Sequence, residues 1–225
     1  MISQDLFFTI LYTFAFSIIL ATGELLHHIL KVKAEYTRKF SHSTATLVSL
    51  TFPLVYQSYE YVLAMGVIFF FVLLIAKHKN FLKSINDVTR KTYGSVLLPV
   101  AISGAFVTAY LLNDNKLFII PMLLLGISDS LAGIAGTLFG KKLRQIIIYG
   151  WNLKKTYLGS GVFFLTALAI CLLTLHYFTG VLSTKTIVAA FAVALGAALV
   201  ETFSSRGLDN FTVPLTALIM LLFFL

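Results

Sequence analysis

The chain has 225 residues, 59% hydrophobic and 12% charged, with a mean hydropathy of +0.93. Soluble domains are about 45–50% apolar, so this composition excludes an ordinary water-soluble fold and places the chain in a membrane. The formal net charge of +8 does not point to nucleic acid, because the cations are distributed among connectors between apolar runs.

Apolar runs fall at 5–30, 43–57, 59–76, 94–112, 117–139, 158–178, 186–201 and 211–225. They predict an all-α polytopic protein of one domain with eight spans. The first run reads as a span and not as a cleavable signal, since Asp5 stands where a basic region belongs and the run is too long. Pro53 and the connector 57–60 leave the second and third runs as a tight hairpin or as one broken element. The last run would extend about 22 Å as a helix, short of a hydrocarbon core of about 30 Å. Fifteen of the seventeen Lys and Arg residues lie in odd-numbered connectors, which leaves Lys116 and Lys185 for the other side. Cytoplasmic loops retain positive residues, so the odd connectors are expected in the cytoplasm and both termini outside. Cys171 is the single cysteine and allows no intrachain disulfide.

Glu24, His27 and His28 close the first span and read as interfacial groups. In the connector beyond, Glu35, Arg38, Lys39 and His42 share one face at helical spacing. An acid, two cations and an imidazole thus meet at a membrane edge, a combination suited to an anion. The segment 77–91 is a basic juxtamembrane loop of the kind that attracts anionic lipid. At its end, Arg90-Lys91-Thr92-Tyr93-Gly94 puts a guanidinium beside a glycine just ahead of a span, where it can hold a phosphate bidentately.

The fifth run carries Asp129. An acid at the centre of a span costs about 2.5–3.5 kcal/mol on insertion scales, so it should face other helices or a wet cavity with a cation nearby. On a helix, Asp129, Gly133, Gly136 and Gly140 form one stripe, with Lys141 and Lys142 beyond it. Gly136 and Gly140 alone would serve as a close-packing seam, but a seam has no need of Asp129. No Walker loop is present. Next, Lys154-Lys155-Thr156, with Gly159 and Ser160, places amines, hydroxyls and backbone amides at a helix N-terminus, where anions are favoured. The seventh run is rich in Ala and Gly and ends in Glu201. Asp209 and Asn210 follow, then Pro214.

Acids (Asp129, Glu201, Asp209) and cations (Arg38, Lys39, Arg90, Lys155) therefore collect on one membrane face. Carboxylates without sulfur or clustered imidazoles suit a hard divalent ion, and Mg²⁺ commonly completes its shell with substrate phosphates. Such a set fits phosphoryl transfer, in which positioning and charge stabilisation supply most of the catalysis.

In this order the motifs resemble the CTP-dependent lipid-alcohol kinases, which include dolichol kinase, phytol kinase and the CTP-using diacylglycerol kinases. Phosphatidate cytidylyltransferase is a more distant relation of that family. Glu35-x-x-Arg38-Lys39-x-x-His42 is similar to the amino-terminal motif, and Arg90 to Gly94 to the second. Gly126-x-x-Asp129-x-x-Ala132 with Gly136 and Gly140 resembles the central Asp/Gly motif. Lys155-Thr156 with Gly159-Ser160, and Glu201 with Gly207-Leu208-Asp209-Asn210 and Pro214, resemble the two that close the series. Where the family commonly has Glu directly before the Gly-Ser pair, this chain has Leu158, and Glu201 is the carboxylate available to substitute.

The resemblance implies CTP as co-substrate, Mg²⁺ as cofactor and a membrane lipid alcohol as acceptor. Asp129 and Asp209 would be metal ligands. Arg38, Lys39, Arg90, Lys155, Thr156 and Asn210 would hold the nucleotide, with Gly133, Gly136 and Gly140 opening the backbone to it. Asp129, Lys155, Glu201 and His42 form the catalytic set, and His42 and Glu201 are unranked candidates for the base that activates the alcohol. The expected protein is an integral membrane kinase with its site at the cytoplasmic face, moving the γ-phosphoryl group of CTP to an isoprenoid alcohol or diacylglycerol. Two other readings stay open. The same site could form a CDP-lipid by attack at the α-phosphorus, or the chain could transport an anionic lipid or metabolite. Against transport stand the lack of a repeat or of paired broken helices, and the gathering of polar groups at one face.

Overall fold

Helix α1, Gln4–His28, opens where Ser3 Oγ accepts a hydrogen bond from the Leu6 N–H at 3.2 Å, with Asp5 in the positive first turn. The structure is a computed structural model that describes residues 3–88, 92–139, 145–148 and 151–224. Asp5 is buried, and its carboxylate accepts from the Gln57 N–H and the Ser58 hydroxyl, both at 3.0 Å. These bonds tie the start of α1 to the turn ahead of α4, Glu60–His78.

Between them lies α2, Ala34–Ser49, and here the expectation of an apolar second span at 43–57 is corrected. The helix stops at Ser49, and a four-residue helix α3, Phe52–Val55, follows with Pro53 in its first turn. Helix α2 is polar on its buried side: Thr37, Ser41, His42, Thr46 and Ser49 point inward, while Tyr36, Phe40 and Leu47 are exposed. Thr46 and Ser49 donate back to the carbonyls of His42 and Thr46 at 2.8 and 2.7 Å, so their hydroxyls are satisfied within the helix. Helix α2 runs antiparallel to α1: Ser41 lies against Gly23, Thr51 bonds Tyr12, and Gln57 reaches Asp5.

Among the described residues six helices are long and apolar enough to cross a membrane, not eight. They are Gln4–His28, Glu60–His78, Gly94–Leu111, Lys116–Phe139, Tyr157–Thr179 and Thr184–Phe203, and Asp209–Phe224 is a shorter apolar helix. We number the elements after α4 as α5 (Lys83–Asn86), α6 (Gly94–Leu111), α7 (Lys116–Leu123), α8 (Asp129–Phe139), α9 (Tyr157–Thr179), α10 (Thr184–Phe203) and α11 (Asp209–Phe224). The fifth connector departs from the all-α expectation, because strands β1 (Gln145–Ile148) and β2 (Trp151–Thr156) pair antiparallel with Gln145 opposite Thr156. The β-branched run Ile146-Ile147-Ile148 favours that conformation.

Away from the polar end, the core is aromatic. Phe52 and Phe118 are fully buried, and Phe106 meets both edge-on, at 5.9 and 5.5 Å between ring centres. Ala189, Ala190, Val193, Ala194 and Ala197 give α10 a buried face of small residues between α9 and α11, the close packing expected of that run.

Leu124–Ser128 joins α7 to α8 as one turn of π-helix, so Lys116–Phe139 is a single span with a bulge immediately before Asp129. The widened turn leaves the Leu125 carbonyl in reach of His42 Nε2, 3.3 Å away on α2. Gly126 faces Thr46 across this contact, 3.4 Å from where a Cβ would stand.

Candidate active site

Three acids converge beyond that bulge. Asp129 begins α8, Glu201 lies in the last turn of α10, and Asp209 begins α11. One carboxylate oxygen of each lies within 4.8 Å of the others. Lys155 on β2 enters the cluster, its ammonium bonding Glu201 Oε1 and lying 3.3 Å from Asp209 Oδ2. Burial works against the charge of Lys155, but Glu201, Asp209 and Asp129 outweigh it and hold its pKa above the ordinary lysine value. Glu201 is almost wholly buried, and its second oxygen, Oε2, has no hydrogen-bond partner among the described residues. Such an orphaned buried oxygen calls for a cation or donor.

The acids form one wall of a polar cavity of about 160 Å³. Helix α2 supplies Glu35, Arg38 and Lys39; α8 supplies Gly133, Gly136 and Thr137; the start of α9 supplies Gly159 and Ser160; Thr156, Gly207 and Asn210 complete the lining. Arg38 donates from Nη2 to Glu35 Oε1 at 3.0 Å, while its buried Nε has no partner among the described residues. Gly133 is glycine for a visible reason: a Cβ there would overlap the Lys39 ammonium. Lys39 leads the neighbours acting on Asp129, followed by His42, Lys155 and Arg38. At Gly136 a Cβ would lie 3.3 Å from Thr156 Oγ1, and at Gly159 one would lie 3.1 Å from the Ala132 carbonyl. The stripe is therefore both a seam between α8 and α9 and an open wall.

Two predicted ligands carry structural duties as well. Thr156 caps α9, its Oγ1 accepting from the Gly159 N–H at 3.1 Å, and so aims that helix's N-terminus at the cavity. Asn210 donates from Nδ2 to the Gly94 carbonyl at 2.8 Å, and the Tyr93 N–H donates to the Arg206 carbonyl at 2.8 Å. Gly207, at φ +81°, leaves no space for a side chain, since a Cβ there would lie 2.5 Å from Gly94 N. The described end of the second sequence motif, Thr92 to Gly94, and the last motif are thus one physical unit.

Of the residues expected at the site, Arg38, Lys39, Asp129, Gly133, Gly136, Lys155, Thr156, Glu201, Asp209 and Asn210 all line this cavity. His42 does not; it faces an adjoining apolar cavity that shares Arg38 and Asn210 with the polar one. Arg90 and Gly140 lie outside the described residues. Leu158 is absent from the lining and Glu201 is present. Thr137 was not anticipated, although its position four residues after Gly133 puts it on the same stripe. The π-turn at Leu124–Ser128 was not anticipated either.

No protein-family model and no solved structure matches the chain. Among curated proteins it is similar to the phytol kinase of Synechocystis sp., with 28% identity over 199 residues. The match covers 88% of this chain and 82% of that protein. It supports the resemblance to the lipid-alcohol kinases read from the motifs, and with it a kinase embedded in a membrane.

Proposed function

We infer that this chain, a relative of the lipid-alcohol kinases, moves the γ-phosphoryl group of CTP to the hydroxyl of an isoprenoid alcohol or diacylglycerol. The observation that carries the reading is one cavity in which three carboxylates face Lys39, Arg38 and Lys155. The orphaned Glu201 Oε2, buried beside two further carboxylates, fits a hard divalent cation. Asp129 and Asp209, joined by Glu201, would hold Mg²⁺, which when bound neutralises phosphate charge.

Lys39 and the terminal nitrogens of the Arg38 guanidinium bind phosphate oxygens, and Lys155 steadies the charge that develops on the leaving diphosphate. Gly133 and Gly136 keep side chains out of the phosphates' way; Gly140 and Arg90 remain in the nucleotide-binding set on the strength of the motifs alone. Thr156 and Asn210 act as positioning residues, through the α9 cap and the Gly94 tie. Because a carbonyl only accepts, the His42 bond to Leu125 puts the imidazole proton on Nε2 and leaves Nδ1 as the acceptor. His42 is therefore the base, whereas Glu201 is engaged by Lys155. The alcohol oxygen bonds to the γ-phosphorus as the bond to the β,γ-bridging oxygen breaks. Its electrons leave with the diphosphate, and the hydroxyl proton passes to Nδ1.

In this reading α2 with α3 is a polar crossing element, so the chain passes the bilayer eight times and the site opens to the cytoplasm, in keeping with the basic connectors. Purified protein given CTP labelled at the γ position and a panel of lipid alcohols should yield labelled lipid, and Asp129→Asn should abolish it. Lipid labelled only from α-labelled CTP would replace the kinase with CDP-lipid synthesis. Absence of label from every lipid would remove both.

A further inference from the structure

The second cavity is apolar, about 90 Å³, and lies between α1, α2, α4 and α6. Its walls include Phe16, Met65, Phe69, Leu98 and Ile102. It is elongated: on α4 it is lined from Val62 to Leu73, about 16 Å of helix. Apart from Ser103, which donates to the Pro99 carbonyl, its polar residues are Arg38 and Asn210, shared with the phosphate cavity, and Ser41, His42 and Ser95. Of these, Arg38 Nε, Ser41 Oγ and Ser95 Oγ are buried without a partner among the described residues. A buried unpartnered polar group costs about 1–3 kcal/mol, so three lining one cavity point to a missing ligand. That ligand must donate and accept hydrogen bonds at one end and be hydrocarbon along the rest. A lipid alcohol satisfies both, and its hydroxyl would emerge between His42 and the phosphates.

We propose that this cavity is the acceptor site, holding one unbranched or isoprenoid hydrocarbon chain along α4 and α6 with its hydroxyl at Arg38, Ser41 and Ser95. The proposal rests on the kinase reading for the fate of the hydroxyl, but chain binding itself needs no nucleotide. Ala45, one turn beyond His42 on α2, lines the slot and not the phosphate cavity, so it governs how much chain is admitted.

Two experiments on the full-length protein in detergent test this. An isoprenoid alcohol bearing a diazirine on its chain is photolysed with the protein in the absence of nucleotide, and the adducts are mapped by mass spectrometry. Adducts on Met65, Phe69, Leu98 or Ile102 that are suppressed by excess unlabelled alcohol are expected. Adducts confined to the outward residues Val67, Ile68 and Phe71, or insensitive to the alcohol, overturn the assignment. Ala45→Phe should then lower kcat/KM for a twenty-carbon alcohol at least about tenfold relative to a five-carbon one, the discrimination a filled apolar pocket gives. An unchanged ratio also overturns it. If competed adducts form but no phosphate is transferred, the cavity stands and the kinase reading falls; transfer with outward adducts only gives the reverse.

Discussion

Replacing Glu201 by Gln separates a metal centre from a purely structural ion cluster. The ligand atoms of Asp129, Glu201 and Asp209 lie within 4.8 Å of one another, and at an effective dielectric constant of about 20 each like-charge pair repels by about 3 kcal/mol. Lys155 contacts two of the three acids, and at the same dielectric constant each contact attracts by about 5 kcal/mol, less than the two repulsions that Glu201 brings. Glutamine preserves the shape and still accepts from Lys155, but it removes one charge and two of the three repulsions. Without divalent ion the variant should therefore melt no lower than the parent. An ion at a hundred times its Kd stabilises the folded state by about 2.7 kcal/mol, and a tenfold loss of affinity reduces that to about 1.4 kcal/mol. Thermal melts in detergent, in EDTA and across a Mg²⁺ titration, should show the rise of the parent roughly halved or lost in Glu201→Gln. Phosphoryl transfer should fall at least about a hundredfold, as for loss of a group that stabilises developing charge. An identical Mg²⁺-dependent rise in both proteins, or a variant several degrees less stable in EDTA, would refute the argument.

Gly133→Ala places a methyl group where the Lys39 ammonium lies. It should raise KM for the nucleotide about tenfold, while helix propensity adds up to about 1 kcal/mol of stability; an unchanged KM counts against Lys39 as a phosphate ligand. The raised pKa of Lys155 fixes the sign of its pH dependence. Its contribution to stability is complete below the ordinary lysine value of 10.5 and disappears only as pH climbs through the higher folded value. The difference in melting temperature between the parent and Lys155→Met should thus stay level from neutral pH to about 10 and narrow above it, and narrowing already near pH 8 would contradict the cluster. Asp5→Asn weakens the acceptor of the Gln57 and Ser58 bonds at the far end of the helices. It should lower stability by about 1–3 kcal/mol and leave KM for the nucleotide unchanged, which kinetic and melting measurements resolve.

The acids, the cations and the glycine stripe were legible in the sequence because each breaks a local rule: Asp129 interrupts an apolar run, and Gly133 and Gly136 occur at helical spacing from it. Their convergence follows from charge placement at span ends, which is also readable. Other features were not. Helix α2 buries Thr, Ser and His and exposes Tyr36, Phe40 and Leu47, so periodicity identifies the helix but hydropathy misjudges which face is inside. The π-turn before Asp129 has no residue signature, since Leu124-Leu125-Gly126-Ile127-Ser128 would serve equally in a regular helix. The division of labour at Asn210, a carboxamide that lines the cavity while holding Gly94, depends on a contact 116 positions away in sequence.

That misjudged helix explains how the two cavities work together. Arg38, Ser41, His42 and Ala45 recur at steps of three, one and three, so they share one face of α2 and all line the apolar slot. Glu35, Arg38 and Lys39 turn partly round the helix into the phosphate cavity. Arg38 belongs to both, so on the proposed assignment one turn of helix would set the distance between an alcohol in the slot and a phosphate beyond it. On the proposed mechanism water would compete poorly, because a nucleophile reaching His42 along the slot would first leave bulk solvent for an apolar passage, whereas a lipid alcohol would arrive there by burying its chain. If the proposed reaction holds, the same inward polarity that keeps α2 from registering as an apolar span would let it carry polar groups to the reacting atoms, and replacing Arg38, Ser41 and His42 with leucine should abolish transfer while leaving the helix in place.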